Sequence, residues 1–318
     1  FKDAAIANLM LPYTGGKPHE RYAILAINIQ GGGGFEIWQY KSRTPVAANF
    51  EILTGDLGIN YPIIKAIDVN KAYQHLKQNG VELLSEPSND PIGNPTFFMK
   101  DLYGNIFQIK KGLGWFKNNG DLFGGVGGAI MGVSNMDISL PFYQNILGYD
   151  QIVYDQSSDS FSDLNNLPGY KQSFRRVLLR HSQAPKGAFS PLLGPTEIEL
   201  IQVLDRIPNK IFTNRFWGDL GYIHLCFDVR NMAALKDFCQ KAGHPFTVDS
   251  NNSFDMGEAA GHFAYIEDPD GAWIEFVEAH RIPIMKKWGW FLNIKNRNPE
   301  KALPRWMLSA MGLNRVKK

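Results

Sequence analysis

Two ionisable side chains stand where apolar ones are expected. His224 lies inside a short apolar run, residues 222–227, and Glu275 inside another, residues 273–277. A carboxylate taken out of water without a partner costs several kcal/mol, roughly, so Glu275 implies a cation or a shared proton. A single histidine on a strand is more often a hydrogen-bonded core residue. An imidazole together with a carboxylate, however, is a nitrogen and oxygen donor pair that can hold a divalent ion or move a proton. Glu199 is a third candidate. Glu197 stands two residues away and faces the same side, so either could point inward. Tyr222, Tyr265 and Trp273 offer aromatic walls for a flat or apolar ligand.

The elements that must position these residues are duplicated along the chain. Helix-like stretches begin after Asp68-Val69, with Asn70 as N-cap, and after Asp228-Val229, with Asn231 as N-cap. They end at Gly80 and Gly243, and each follows a short apolar strand. Further on, Asp101-Leu102-Tyr103-Gly104 and Asp268-Pro269-Asp270-Gly271 each separate two strands by a tight turn. Residues 35–39 match 198–202, and Lys110-Lys111 with Trp115-Phe116 recurs as Lys286-Lys287 with Trp290-Phe291. Paired positions lie 160 residues apart at Asp68 and Asp228, 167 at Asp101 and Asp268, and 175 at Trp115 and Trp290. The second copy repeats internally as well: strand 131–134, a helix 136–147 capped by Asn135 or Asp137 and stopped by Gly148, then three strands. Residues 1–10 align without a gap on 170–179, which leads to the expectation of a further strand and helix upstream of Phe1.

This order, β-α-β-β-β taken repeatedly, resembles the vicinal-oxygen-chelate superfamily of glyoxalases, bleomycin resistance proteins and extradiol dioxygenases. Residues 131–136 with Phe142-Tyr143 and Ile146-Leu147-Gly148 resemble its opening strand and helix. Residues 223–229 and 268–271 with Glu275 resemble its second half. The resemblance implies an α+β fold of two tandem domains, each built from paired βαβββ units in a curved, mainly antiparallel, cup-shaped sheet with outer helices. The expected division is an N-terminal domain at 1–120, a C-terminal domain at 121–280 and an extension at 281–318. It also implies a divalent metal (iron, zinc, nickel or manganese) held from the first and last strands of each unit, or no metal where ligands are lost. Carried over by position, the C-terminal ligands fall at Glu199, His224 and Glu275, with Gly128 at a fourth place that cannot bind. In the N-terminal copy Glu36 remains, but Ile64 and Gln108 stand for His224 and Glu275, so that copy is expected to be degenerate.

Three functions follow. A glyoxalase-like lyase or isomerase would move a proton beside a carbonyl, with Glu275 or Glu199 as base. An extradiol dioxygenase would use iron held by two histidines and a glutamate. Tyr265 matches that group's active-site tyrosine, but Gly128 and Met256 stand where its histidines are expected. A non-catalytic small-molecule-binding protein of the same fold is the third reading. The partner in each case is a small molecule, and a homo-oligomer is open.

Composition narrows the setting. With 44% hydrophobic and 20% charged residues and no apolar run of membrane-spanning length, the chain reads as a soluble, cytoplasmic protein. Cys226 and Cys239 read as reduced core thiols. The net charge of +2 conceals a basic segment, 281–318, with ten Lys/Arg and one acid, Glu300. Its interleaved aromatics argue for packing rather than for nucleic acid or membrane, so Trp288, Trp290 and Phe291 are expected to be buried, as are Trp115 and Phe116. His262 and His280 are expected on loops or an outer face.

Overall fold

The computed structural model describes residues 4–251, 254–255, 260–285 and 288–314. Four units follow one another. The first holds helix α1 (Ala4–Leu9) and the hairpin β1 (Arg21–Ile27) and β2 (Gly34–Tyr40). The second runs β3 (Gly58–Ala66), α2 (Val69–Gln78), β4 (Glu82–Leu83), β5 (Ser88–Asn89), β6 (Pro95–Lys100) and β7 (Ile106–Lys111). The third runs β8 (Phe123–Gly132), α3 (Met136–Asn145), β9 (Gln151–Ser158), β10 (Phe174–Arg180), the short α4 (Ser190–Leu193) and β11 (Glu197–Val203). The fourth runs β12 (His224–Asp228), α5 (Met232–Lys241), β13 (Val248–Asp249), β14 (Phe254–Asp255), β15 (Ala260–Glu267) and β16 (Trp273–Met285), followed by β17 (Trp290–Asn293) and α6 (Arg305–Ala310).

Local chemistry explains the unit boundaries. Helix α2 is capped by Asp68, whose carboxylate accepts from the Lys71 amide at 3.0 Å, rather than by Asn70. Asn135 caps α3 through the Asp137 amide, and Asn231 caps α5 from a left-handed backbone, φ 62°. Gly80, Gly148 and Gly243 each follow a helix at positive φ, as expected of stops. The two Asp-x-x-Gly turns agree atom for atom. Asp101 Oδ1 accepts from the amides of Tyr103 and Asn105, and Asp268 Oδ1 accepts from those of Asp270 and Ala272. The fourth turn residue, Gly104 or Gly271, stands at φ 85° or 78°.

The units pair across the duplication. Units two and three share one curved sheet, ordered β4-β6-β7-β3-β8-β11-β10-β9, whose halves join where β3 meets β8 antiparallel. Unit four forms the sheet β12-β16-β15-β13, and the β1–β2 hairpin of unit one faces it. One buried cluster joins units three and four: Met131, Val133, Tyr143 and Leu200 pack with Ala264, Ile266, Ile274 and Phe276. Tyr143 donates to Asp268 at 2.8 Å across that junction.

Register corrects the alignment of the first unit. Leu25 on β1 opposes Glu36, as Leu178 on β10 opposes Glu199. The counterpart of β10 is therefore residues 21–27, while residues 4–9 are helical. The basic extension packs through aliphatics rather than its aromatics. Phe116, Ile282, Ile284, Ile294, Leu303 and Leu308 are buried together, whereas Trp288 is 80% exposed and Trp290 and Phe291 are 39% and 36% exposed. Trp115 is half-buried. Lys286 and Lys287 lie outside the described residues.

Candidate metal centre

Glu36, His224 and Glu275 converge, with one donor atom from each lying within 4.8 Å of the others. They come from β2, β12 and β16. His224 Nε2 is 3.1 Å from Glu275 Oε2 and 3.6 Å from Glu36 Oε2. Strand geometry aims them. β12 and β16 run parallel, with Cys226 opposite Glu275 and His224 two residues before Cys226, so both side chains project from one face. On β2, Glu36, Trp38 and Tyr40 alternate onto one face, joined by Arg21, which opposes Tyr40 on β1. A loop covers the site. Trp217 is 1% exposed, lies parallel to the His224 ring at 6.1 Å, and is tied down because Tyr40 donates its hydroxyl to the Trp217 carbonyl.

The three side chains shift one another's acidity. Burial pushes the Glu36 carboxyl up to about 7, and the nearby Glu275 charge adds to the rise. Burial alone would raise Glu275 too, but the charge and hydrogen bond of His224 hold it below its ordinary value. His224 moves the opposite way: burial disfavours its cation, yet Glu275 and Glu36 together raise it. Tyr265, 1% exposed on β15, presents its ring edge to His224 at 5.5 Å and helps to keep Glu275 low. His224 Nδ1 is buried without a hydrogen-bond partner among the described residues.

Two of the three expected ligands meet here and one does not. His224 and Glu275 come together with Tyr265 beside them. Glu199 is elsewhere, 1% exposed on β11, where the buried Arg176 donates to it while pairing with Asp163 at 2.7 and 2.8 Å. Its place in the cluster is taken by its repeat partner Glu36. The physical reason is the pairing across copies: the fourth-strand position that faces His224 belongs to unit one, not unit three. Register also shows that Tyr61, rather than Ile64, is the counterpart of His224. Ile63 opposes Gln108 on parallel strands as Cys226 opposes Glu275, and Tyr61 stands two residues earlier. Gly128, expected at an empty ligand place, opposes Ile63 and Glu197 in the sheet of units two and three.

His262 and His280 lie on β15 and β16 rather than on loops. His262 is 2.6 Å from Asp249, and His280 3.5 Å from Glu278. Cys239 is buried, but Cys226 is exposed on β12, so only one of the two thiols is a core residue. Met256 lies outside the described residues. Sequence reasoning passed over Arg21, Trp38 and Trp217. The signal for the first two was their two-residue spacing and cross-strand relation to Glu36; nothing local marked Trp217.

Curved sheets of βαβββ units with outer helices, closing on an imidazole and two carboxylates, define the glyoxalase-fold class. A family model described as the Glyoxalase/Bleomycin resistance protein/Dioxygenase superfamily matches residues 126–276, a little under half of the chain, and that segment belongs to this superfamily. Among solved structures, a provisionally assigned dioxygenase from Bacillus subtilis aligns with TM-score 0.51 at 13% identity, over 81% of this chain and 72% of that one. Glyoxalase I from Zea mays aligns with TM-score 0.47 at 14% identity, over 80% and 83%. An antibiotic-binding protein from a Streptomyces species aligns with TM-score 0.31 at 16% identity, over 48% and 90% or more, namely 93%, of its own chain. At 13% identity the likeness to the first of these concerns the fold alone. No curated protein sequence matches the chain. No helix among the described residues is long and apolar enough to cross a membrane.

Proposed function

We propose that this chain is a divalent-metal-dependent enzyme of the glyoxalase type, catalysing proton transfer beside a carbonyl of a small oxygen-rich substrate. The convergence of Glu36, His224 and Glu275 carries the reading. The donor set fits such an ion: one neutral imidazole and two carboxylates offset a double positive charge, and zinc, nickel, manganese and iron all accept mixed nitrogen and oxygen ligands. Two acids and an imidazole this close and this buried are strongly coupled without a cation between them. When bound, the ion would polarise a substrate carbonyl and acidify the adjacent C–H.

The chain's own residues divide the remaining work. Glu275 is the fixed carboxylate, held 3.1 Å from His224. Glu36 is looser, its side chain 26% exposed against 11% for Glu275, and stands farther from His224. A carboxylate held this loosely suits a group that takes a proton from one carbon and returns it to another. Trp217 and Trp38 exclude water over the cluster. The set favours proton transfer over ring cleavage because it offers one histidine and two glutamates, where the iron-dependent dioxygenases use two histidines and one.

Metal analysis after dialysis against manganese, zinc, nickel and iron(II) tests the reading. One equivalent should be retained, and His224→Ala should lose it. A wild-type protein that retains none of the four would overturn the metal centre, and a variant that retains metal like wild type would overturn this assignment of ligands.

A further inference from the structure

Three arginines are buried among the described residues: Arg21, Arg176 and Arg215. Arg176 is paired with Asp163 and Glu199. Arg215 donates to the carbonyls of Ile211, Val46 and Leu220. Arg21 has neither kind of partner. It is 6% exposed, its Nε is buried without a hydrogen bond, and no carboxylate lies within ion-pair reach among the described residues. A buried cation left this way is costly unless something else meets its charge.

Its position says what that is. Arg21 shares the inner face of the hairpin with Glu36 and Trp38. Its guanidinium rests against two indoles, 4.9 Å from the centre of Trp38 and 5.2 Å from that of Trp217, the ring that lies over His224. It is close enough to feel the charges of Glu36 and Glu275 without touching either. Aromatic faces hold a guanidinium in place while leaving its in-plane donors free, and those donors match a carboxylate in fork geometry. Charge balance agrees. A divalent ion on Glu36, Glu275 and a neutral His224 is neutral, so Arg21 leaves the cup one positive charge.

Resting on the metal-centre reading above, we propose that Arg21 binds a carboxylate of the substrate next to the oxygens that chelate the ion. The substrate class is then a singly charged acid with vicinal oxygens, a 2-oxo or 2-hydroxy acid, rather than a neutral dicarbonyl or catechol. Arg21 is thus the residue that selects for charge, while Glu36 moves the proton.

Oxamate and oxamide supply the test, because both present vicinal oxygens but only the first is charged. Calorimetric titration of the manganese-loaded and metal-free full chain should show oxamate binding at least about tenfold tighter than oxamide, the scale of one hydrogen bond to a charged group. In Arg21→Gln the preference should fall to within about twofold while manganese stoichiometry stays at the wild-type value, and Arg21→Lys should restore part of it. An undiminished preference in Arg21→Gln, or no preference in the wild type, would overturn the proposal. So would manganese loss in Arg21→Gln, which would make Arg21 a counter-charge for the ligands. Failure of the wild type to take up manganese counts against the metal reading alone, since the charge preference is still read in the metal-free chain.

Discussion

The molecule holds two versions of one cup. In the first, made by units one and four, the matched positions are Glu36, His224 and Glu275. In the second, made by units two and three, they are Glu199, Tyr61 and Gln108. Glu199 is held by the guanidinium of Arg176, and Tyr61 is packed with Phe98, Ile130 and Ile201, its hydroxyl at 2.7 Å from Thr54. Nearby, Lys110 joins Asp90 and Glu197 at 3.1 and 2.9 Å. The second cup therefore carries its cations covalently, as Arg176 and Lys110, and among the described residues it gathers no donor set for an exchangeable one. A carboxylate at a given strand position does not make a site; what closes on it decides.

The largest effect expected from this contrast is structural. Arg176→Ala leaves Asp163 and Glu199 buried without their counter-charge and should cost about 3–5 kcal/mol in denaturant unfolding. It should leave metal retention by the first cup unchanged. A loss below about 1 kcal/mol would mean that the second cup is not held by that ion pair. Next, Glu275→Ala should weaken metal binding at least about 100-fold in a competition titration, while Gln108→Ala, its repeat partner, should not alter it. Equal losses in both variants would erase the distinction between the cups.

A smaller effect concerns pH. Glu36, raised to about 7, is partly protonated near neutrality, and His224 too is shifted upward by Glu275 and Glu36, so an ion must displace protons. Metal affinity should rise with pH through about 7 and then flatten, and Glu36→Gln should flatten the rise itself. Proton release, read by calorimetry in buffers of different ionisation heat, checks the sign. In the metal-free protein the folded state binds more protons at Glu36 than the unfolded state between its ordinary 4.5 and about 7. The Glu36 contribution to stability should therefore fade as pH rises through that window. The smallest effect belongs to the extension: Trp288, 80% exposed, should tolerate alanine within about 0.5 kcal/mol.

Much of this was legible in the sequence because it is local. The Asp101 and Asp268 turns, the glycine stops and the strand order are fixed by residues within a few positions of one another. His224, Glu275 and Tyr265 could be placed because they share one unit. Glu199 could not be rejected from sequence, since the choice between it and Glu36 depends on which units pair, and identical motifs allow either arrangement. The first unit was misaligned for a similar reason: the helical segment at 4–9 carries enough apolar residues to imitate a strand. The exposed Trp288 and Trp290 show that aromatic content alone does not predict burial when neighbouring isoleucines and leucines fill the available space.

Glu36 and Glu275 lie 239 positions apart along the chain, yet share one His224. Any ion they hold is a clasp between two distant stretches of the polypeptide, and it can close only after much of the intervening chain has found its place. Closing so long a loop is slow, although its entropic cost grows only with the logarithm of length. Capture of the ion should then be a late event in refolding, with the slow phase of metal uptake following the burial of the units two and three sheet. Conversely, chelation should let amides of β2 and β12 exchange with solvent sooner than those of β3 and β8. Uniform exchange across all four strands after chelation would show that the clasp does not govern the order in which the molecule opens.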